Sequence, residues 1–172
     1  DTKKVIQSVF LYRSPISLYG TDIHIWPYNW GWVKNDSLKE LLPEAKNKTK
    51  AYVDKHIAVA KKYAKPIVLE EFGYPRDNFS FIKNTPTTLR DEYYRYVFDL
   101  VHKAKNHNGL LAGCNFWAWG GFANHTLGHM FWEKGDDYMG DPVQEEQGLN
   151  SVFITDSTIK IISEANKQLK YD

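Results

Sequence analysis

Glu71 closes the run Lys65-Pro66-Ile67-Val68-Leu69-Glu70-Glu71-Phe72-Gly73, and about forty residues later the run Gly113-Cys114-Asn115-Phe116-Trp117-Ala118-Trp119-Gly120-Gly121 ends in two indoles. A carboxylate at the end of a buried strand can attack an electrophilic carbon or move a proton, and an indole face beside it can carry a sugar ring. In retaining glycoside cleavage one carboxylate attacks the anomeric carbon while a second, roughly 5–5.5 Å away, donates and later removes a proton. Glu71, the last acid before the Phe72-Gly73 exit, is the expected attacker. Strand side chains alternate, so Glu70 and Glu71 are expected on opposite faces.

His24 and Trp26 lie two apart in the β-type run Ile23-His24-Ile25-Trp26, stopped by Pro27, and therefore share a face. An inward His24 can orient Glu71 or bond a sugar hydroxyl; an outward one is a core histidine. Trp117, at a strand end, can stack beneath a sugar ring, with Trp119 close behind on the same face; core packing is the alternative for either. Tyr28, Trp30 and Trp32, spaced by two in a loop, and Trp132 in a later loop present more aromatic surface than loops need. Trp26, Trp30, Trp117 and Trp132 are the expected substrate contacts.

No metal and no cofactor is expected. His125 and His129 have the spacing of a helical zinc pair, yet Gly128 lies between them and no third ligand is near. Asp136, Asp137, Asp141, Glu145 and Glu146 lack the alternating oxygens of a calcium loop and read as a rim for sugar hydroxyls. A phosphate-cradling glycine loop and a Gly-x-Ser-x-Gly elbow are both missing. Cys114 sits mid-strand as a small buried side chain.

The elements that must position these groups alternate as strand, helix, strand, helix, strand, long loop, short extended piece, helix, which is a parallel α/β pattern. After the first strand, Ser37 is expected to cap a short helix and Pro43 to open a longer one reaching about Tyr63, with Tyr52, Val53, His56, Ile57 and Ala60 buried. Ile67-Val68-Leu69 reads as a strand covered on both sides. Thr88 and Asp91 resemble a capping box before a helix with Leu89, Tyr93, Tyr96, Val97, Leu100 and Val101 inward, ended by Asn106-His107-Asn108-Gly109. Leu110 to Trp117 is the third strand, residues 120–148 are a functional loop, and Asp156 caps the last helix.

At 172 residues and 42% apolar composition the chain has enough material for a single core, and a net charge of +1 points to no nucleic-acid partner. No run of 18 apolar residues is present, so no membrane span is expected, and residues 1–20 lack the order of a secretory leader. Three strong strands fall short of the eight in a closed barrel, which predicts association with a missing N-terminal barrel half or self-association through open edges.

Four segments in order resemble the β-mannanases of glycoside hydrolase family 5, most closely a Bacteroides-like bacterial branch. They are Asp22-Ile23-His24-Ile25-Trp26-Pro27-Tyr28-Asn29-Trp30-Gly31-Trp32, the 65–73 run, Phe116-Trp117-Ala118-Trp119-Gly120-Gly121, and Gly135-Asp136-Asp137-Tyr138-Met139-Gly140-Asp141-Pro142 leading to Gln147-Gly148-Leu149-Asn150-Ser151-Val152-Phe153. The resemblance implies a (β/α)8 TIM barrel in which residues 20–172 supply strands 6 to 8 and their helices, residues 1–19 remaining unassigned. It implies Glu71 as nucleophile, His24 beside it and Trp117 as platform, with β-mannan, glucomannan or galactomannan as substrate and an extracellular or periplasmic location. Many relatives carry Tyr where Trp26 stands. The family's acid/base glutamate follows an Asn, and this sequence contains no Asn-Glu pair. The expected activity is a retaining endo-β-mannanase; the alternatives are a non-catalytic, carbohydrate-binding partial barrel and a β-mannosidase or β-glucanase of the same family.

Overall fold

Three short apolar runs pair side by side because each is too apolar to be left in water and too short for a helix. In the computed structural model, which describes residues 21–169, they are β1 (Thr21–Ile25), β2 (Ile67–Phe72) and β3 (Leu111–Phe116), parallel and in the order β1-β2-β3. The segment 1–19 lies outside the described residues. Parallel neighbours need a crossover, supplied by α1 (Leu38–Tyr63) and α2 (Thr88–Asn106). A second parallel pair, β4 (Trp119–Gly121) with β5 (Val152–Phe153), brackets the long loop, and α3 (Thr158–Leu169) follows.

Ile23, Ile25, Ile67, Leu69 and Phe72 are buried in one cluster with Leu42 and Val53 of α1 and Tyr93, Val97, Phe98 and Val101 of α2. Each such side chain stabilises the fold by about 1.5–3 kcal/mol. Two buried hydrogen bonds pin the helices: Thr49 Oγ1 lies 2.7 Å from Tyr93 Oη, and Tyr74 Oη donates to the Leu38 carbonyl at 2.8 Å. No helix of the described residues is long and apolar enough to cross a membrane.

Several local expectations change. One 26-residue helix replaces the expected pair, with Pro43 inside it. Buried Leu38, Leu42 and Ala45 anchor both sides of Pro43, and the loss of one backbone bond is tolerated on an exposed face. Val53 and Ala60 are buried as expected, whereas Tyr52, His56 and Ile57 are only half-buried. The cap of α2 is Thr87 rather than Thr88, and the Asp77 carboxylate accepts the Thr88 and Leu89 N–H groups from outside the helix. Asp91 accepts hydrogen bonds from Ser157 and Thr158, tying α2 to α3. A local capping pattern cannot foresee such partners, because they lie more than sixty residues away in sequence.

Candidate active site

The register of β1 on β2 runs Ile23 opposite Leu69 and then His24 opposite Glu71, so Glu70 is an extra residue in the pairing. A bulge of this kind breaks strict alternation. Ile67, Leu69 and Phe72 face the helices, Phe72 packing on Tyr94 and Phe98 at 4.7 and 5.8 Å between ring centroids. Both glutamates turn the other way. Glu71 Oε2 lies 3.2 Å from His24 Nδ1, and polar atoms of Asp22, His24 and Glu70 lie within 4.8 Å of one another. The expectation of opposite faces therefore fails at the one pair of residues where it mattered most.

His24 bridges acids on both sides, with Nδ1 on Glu71 and Nε2 3.7 Å from Asp22 Oδ2. The imidazole thus stands beside one oxygen of the Glu71 carboxylate, Oε2. A hydrogen bond with Asp22, then burial and the neighbouring negative charge, raises the Glu70 carboxyl above its ordinary range. Two carboxylates so close hold a proton between them more readily than two charges.

Glu71, Trp26 and Trp117 line one cleft of about 270 Å³ together with Asn29, Pro142 and Glu145. The two indoles meet edge to face at 6.2 Å and 83°, giving the cleft an aromatic corner. Glu71 is 28% exposed, open enough to meet a ligand and covered enough for the nearby imidazole to matter. The Trp117-Ala118 peptide is cis.

Trp30 and Trp132 do not line this cleft. Trp30 meets Trp32 edge to face at 5.0 Å and lies tilted against Tyr52 of α1 at 5.3 Å, while Trp132 donates Nε1–H to the Asp136 carbonyl within its own loop. Tyr28 packs on Phe79. Trp119 lies in β4, its indole beside Gly121.

The loop between β4 and β5 is built by its acids rather than rimmed by them. Asp136 accepts from His129 Nδ1 and the Glu133 N–H, and Asp137 accepts the Asn124 N–H. Mutual pairing moves His129 up and holds Asp136 down at about 2. Asp141 is fully buried and accepts from Gly148 N–H at 3.0 Å and Ser151 Oγ at 2.8 Å; burial raises it to about 6. Of the five acids expected as a sugar rim, only Glu145 reaches the cleft. Burial first, then Glu146 and Glu71, raise its carboxyl, so it keeps a proton to donate at higher pH than an ordinary glutamate. Sequence spacing singled out neither Asn29 nor Pro142, although both lie in segments that carry the family resemblance.

Beneath the cleft, Arg90 donates to the carbonyls of Tyr74, Ser151 and Leu149 at 2.7, 2.6 and 2.9 Å. Arg76 donates to Asp156, whose carboxylate also takes the Phe153 N–H, so Asp156 serves this network rather than capping α3 with its side chain. Two buried guanidiniums thus tie the exit of β2 to the return of the loop.

Residues 12–172 match the family model described as GH family 5 beta-mannosidase-like. The glycoside hydrolase family 5 mannosidase from Rhizomucor miehei is 31% identical and superposes with a TM-score of 0.78, over 87% of this chain and 37% of that one. A mutant of that enzyme in complex with mannosyl-fructose superposes equally well, with the same identity and coverage. Mannan endo-1,4-beta-mannosidase 5 of Arabidopsis thaliana is 27% identical over 95 residues, 55% of this chain and 20% of that protein. The endo-beta-1,4-mannanase of Thermotoga petrophila shares the fold at a TM-score of 0.51 and 24% identity, over 86% of this chain and 25% of that one. The chain thus spans well under half the length of these relatives, and its three strands and helices are a part of a (β/α)8 barrel.

Proposed function

The chain belongs to glycoside hydrolase family 5, in its β-mannosidase-like group, and from that premise we propose that the protein cleaves β-1,4-mannosidic bonds with retention of configuration through Glu71. The observation that carries the reading is the Glu71 carboxylate, held 3.2 Å from His24 Nδ1 in a cleft walled by Trp26 and Trp117. A Glu71 oxygen attacks C1 of the mannoside, the glycosidic C–O bond breaks, and the leaving oxygen takes a proton from a second carboxyl group. Water then attacks C1, the C1–Glu71 bond breaks, and the water's proton passes to that same group. Trp117 carries the ring being cleaved and His24 holds the nucleophile in line.

In this reading β1, β2 and β3 are the sixth, seventh and eighth strands of the barrel. The proton donor belongs to the portion of the barrel outside these 172 residues, since no Asn-Glu pair occurs here. Mannan, glucomannan and galactomannan are the substrates, and polymers of that size place the enzyme outside the cell or in the periplasm. Internal cleavage of the polymer is the expected mode. A second mode, removal of terminal mannose, is favoured by one observation: Pro142 and Glu145 of the long loop wall the cleft beside Glu71.

The test uses the full-length protein of which this chain is part. Glu71→Ala should lose about 4 kcal/mol or more of transition-state stabilisation, roughly a thousandfold in rate. Turnover at the wild-type rate eliminates the assignment. Products from long mannan separate the modes, mixed oligosaccharides marking internal cleavage and mannose alone marking terminal cleavage. Binding of mannohexaose with no sugar released by the wild type supports a carbohydrate-binding barrel instead.

A further inference from the structure

Gly73 is buried two residues beyond Glu71, at the exit of β2. A Cβ at that position would lie 2.7 Å from Asn150 Oδ1, 3.1 Å from Asn150 Cγ and 3.0 Å from the Trp117 carbonyl oxygen. No positive φ calls for glycine here; the close approach does. Asn150 is only 3% exposed, and Arg90 grips the carbonyls on either side of it, those of Leu149 and Ser151. The Asn150 carbonyl accepts the Ala118 N–H at 3.0 Å, while Trp117 N–H donates to Phe72 at 2.8 Å. The amide of Asn150 is therefore set against the end of the strand that carries Glu71, next to the peptide that carries the Trp117 indole.

Asn150 Nδ2 has no acceptor among the described residues, so the side chain acts here through its shape rather than through a donated hydrogen bond. Burying such a donor without an acceptor is unfavourable, a cost that an apolar residue of similar size would avoid. Resting on the reading of Glu71 as nucleophile and Trp117 as platform, we infer that Gly73 and Asn150 are a positioning pair, the Asn150 amide seated on the bare Cα of Gly73 setting the separation of the Glu71 carboxylate from the Trp117 indole. Neither residue touches the substrate. A methyl group at position 73 must push either Asn150 or the Trp117 peptide away by a substantial fraction of an ångström. Misplacement on the order of 1 Å at a reacting centre lowers rates by about a hundredfold.

The experiment compares full-length wild type, Gly73→Ala, Asn150→Ala and the double variant, with active sites counted by covalent trapping with a 2-deoxy-2-fluoromannosyl fluoride. Per trapped site, kcat should fall about a hundredfold in Gly73→Ala and about tenfold in Asn150→Ala, with KM changing less than about threefold. The double variant should resemble Asn150→Ala, because removing the amide removes the principal clash. Multiplicative losses in the double variant, or a wild-type kcat in Asn150→Ala, overturn the pair. A purely structural role would instead lower the number of trapped sites and leave kcat per site unchanged, which also overturns it. If Gly73→Ala does not fold, a double variant that folds and turns over like Asn150→Ala supports the pair, and one that does not fold refutes it. Peptide mapping of the trapped wild type keeps the two readings apart: a label elsewhere than Glu71 refutes the nucleophile assignment, and with it this inference. A label on Glu71 leaves the variants to judge the pair alone.

Discussion

Asp156 is the acid on which two buried guanidiniums converge, and removing it tests whether they hold the site's scaffold. Arg76, Arg90 and Asp156 have side chains no more than 1% exposed. Arg76 Nη2 donates to Asp156 Oδ2, Arg90 Nη1 stands 3.9 Å from the same oxygen, and Phe153 N–H donates to it at 2.8 Å. Breaking a buried ion pair from one side costs about 3–5 kcal/mol, because the surviving charge stays desolvated. The orphaned Phe153 N–H adds about 1 kcal/mol. Carbonyl partners soften the loss, since Arg76 keeps Thr85 at 3.0 Å and Arg90 keeps its three. Burial already lowers Arg90 to about 10, so it tolerates further loss of negative charge poorly. Asp156→Ala should therefore destabilise the full-length protein by about 4 kcal/mol in urea unfolding followed by tryptophan fluorescence. Arg76→Met combined with Asp156→Leu should recover most of that, because a well-packed apolar pair leaves no unpaired charge at that contact. A loss below about 1 kcal/mol for Asp156→Ala, or simple additivity in the double variant, would refute the reasoning.

Asp141 makes stability depend on pH. Its folded carboxyl titrates near 6 against an ordinary 3.8, so folding takes up a proton, and the stabilisation is complete below pH 3.8 and lost as pH climbs through 6. The gap corresponds to about 3 kcal/mol. Asp141→Asn should flatten the decline between pH 4 and 6 in thermal unfolding, and an unaltered slope counts against it. Lys83 Nζ donates to the Phe122 and Ala123 carbonyls at 2.8 and 3.2 Å. Lys83→Met should cost about 1 kcal/mol and speed chymotryptic cleavage after exposed Phe122; equal cleavage rates exclude the clamp. Cys114 is buried, and burial pushes its thiol far above the ordinary value. It should stay unlabelled by a disulfide reagent until denaturant is added, and prompt labelling of the native protein contradicts its placement.

Much of the site was legible because its chemistry sits where local patterns are strongest. The run Ile67-Val68-Leu69 could only be a covered strand, Pro27 could only end one, and Glu71 and Trp117 stand at strand ends whatever else the chain does. Trp26 entered the cleft for the same reason, as the neighbour two places beyond His24. Loop aromatics carried no such constraint: an indole at Trp30 can reach the cleft or lie on α1, and only the path of the chain chooses.

From the residues themselves came the parallel alternation of strands and helices, the strand-end carboxylate with its histidine, and the family to which they belong. Tertiary structure alone decided that Glu70 bulges out of register, so that Glu70 and Glu71 both turn toward the face of His24, and that Asn150 lies against Gly73. Periodicity is a property of neighbours along the chain and is written there directly. A bulge, a buried arginine network or a contact between residues 73 and 150 depends on how distant segments fill the same space, and no short stretch of sequence contains that information.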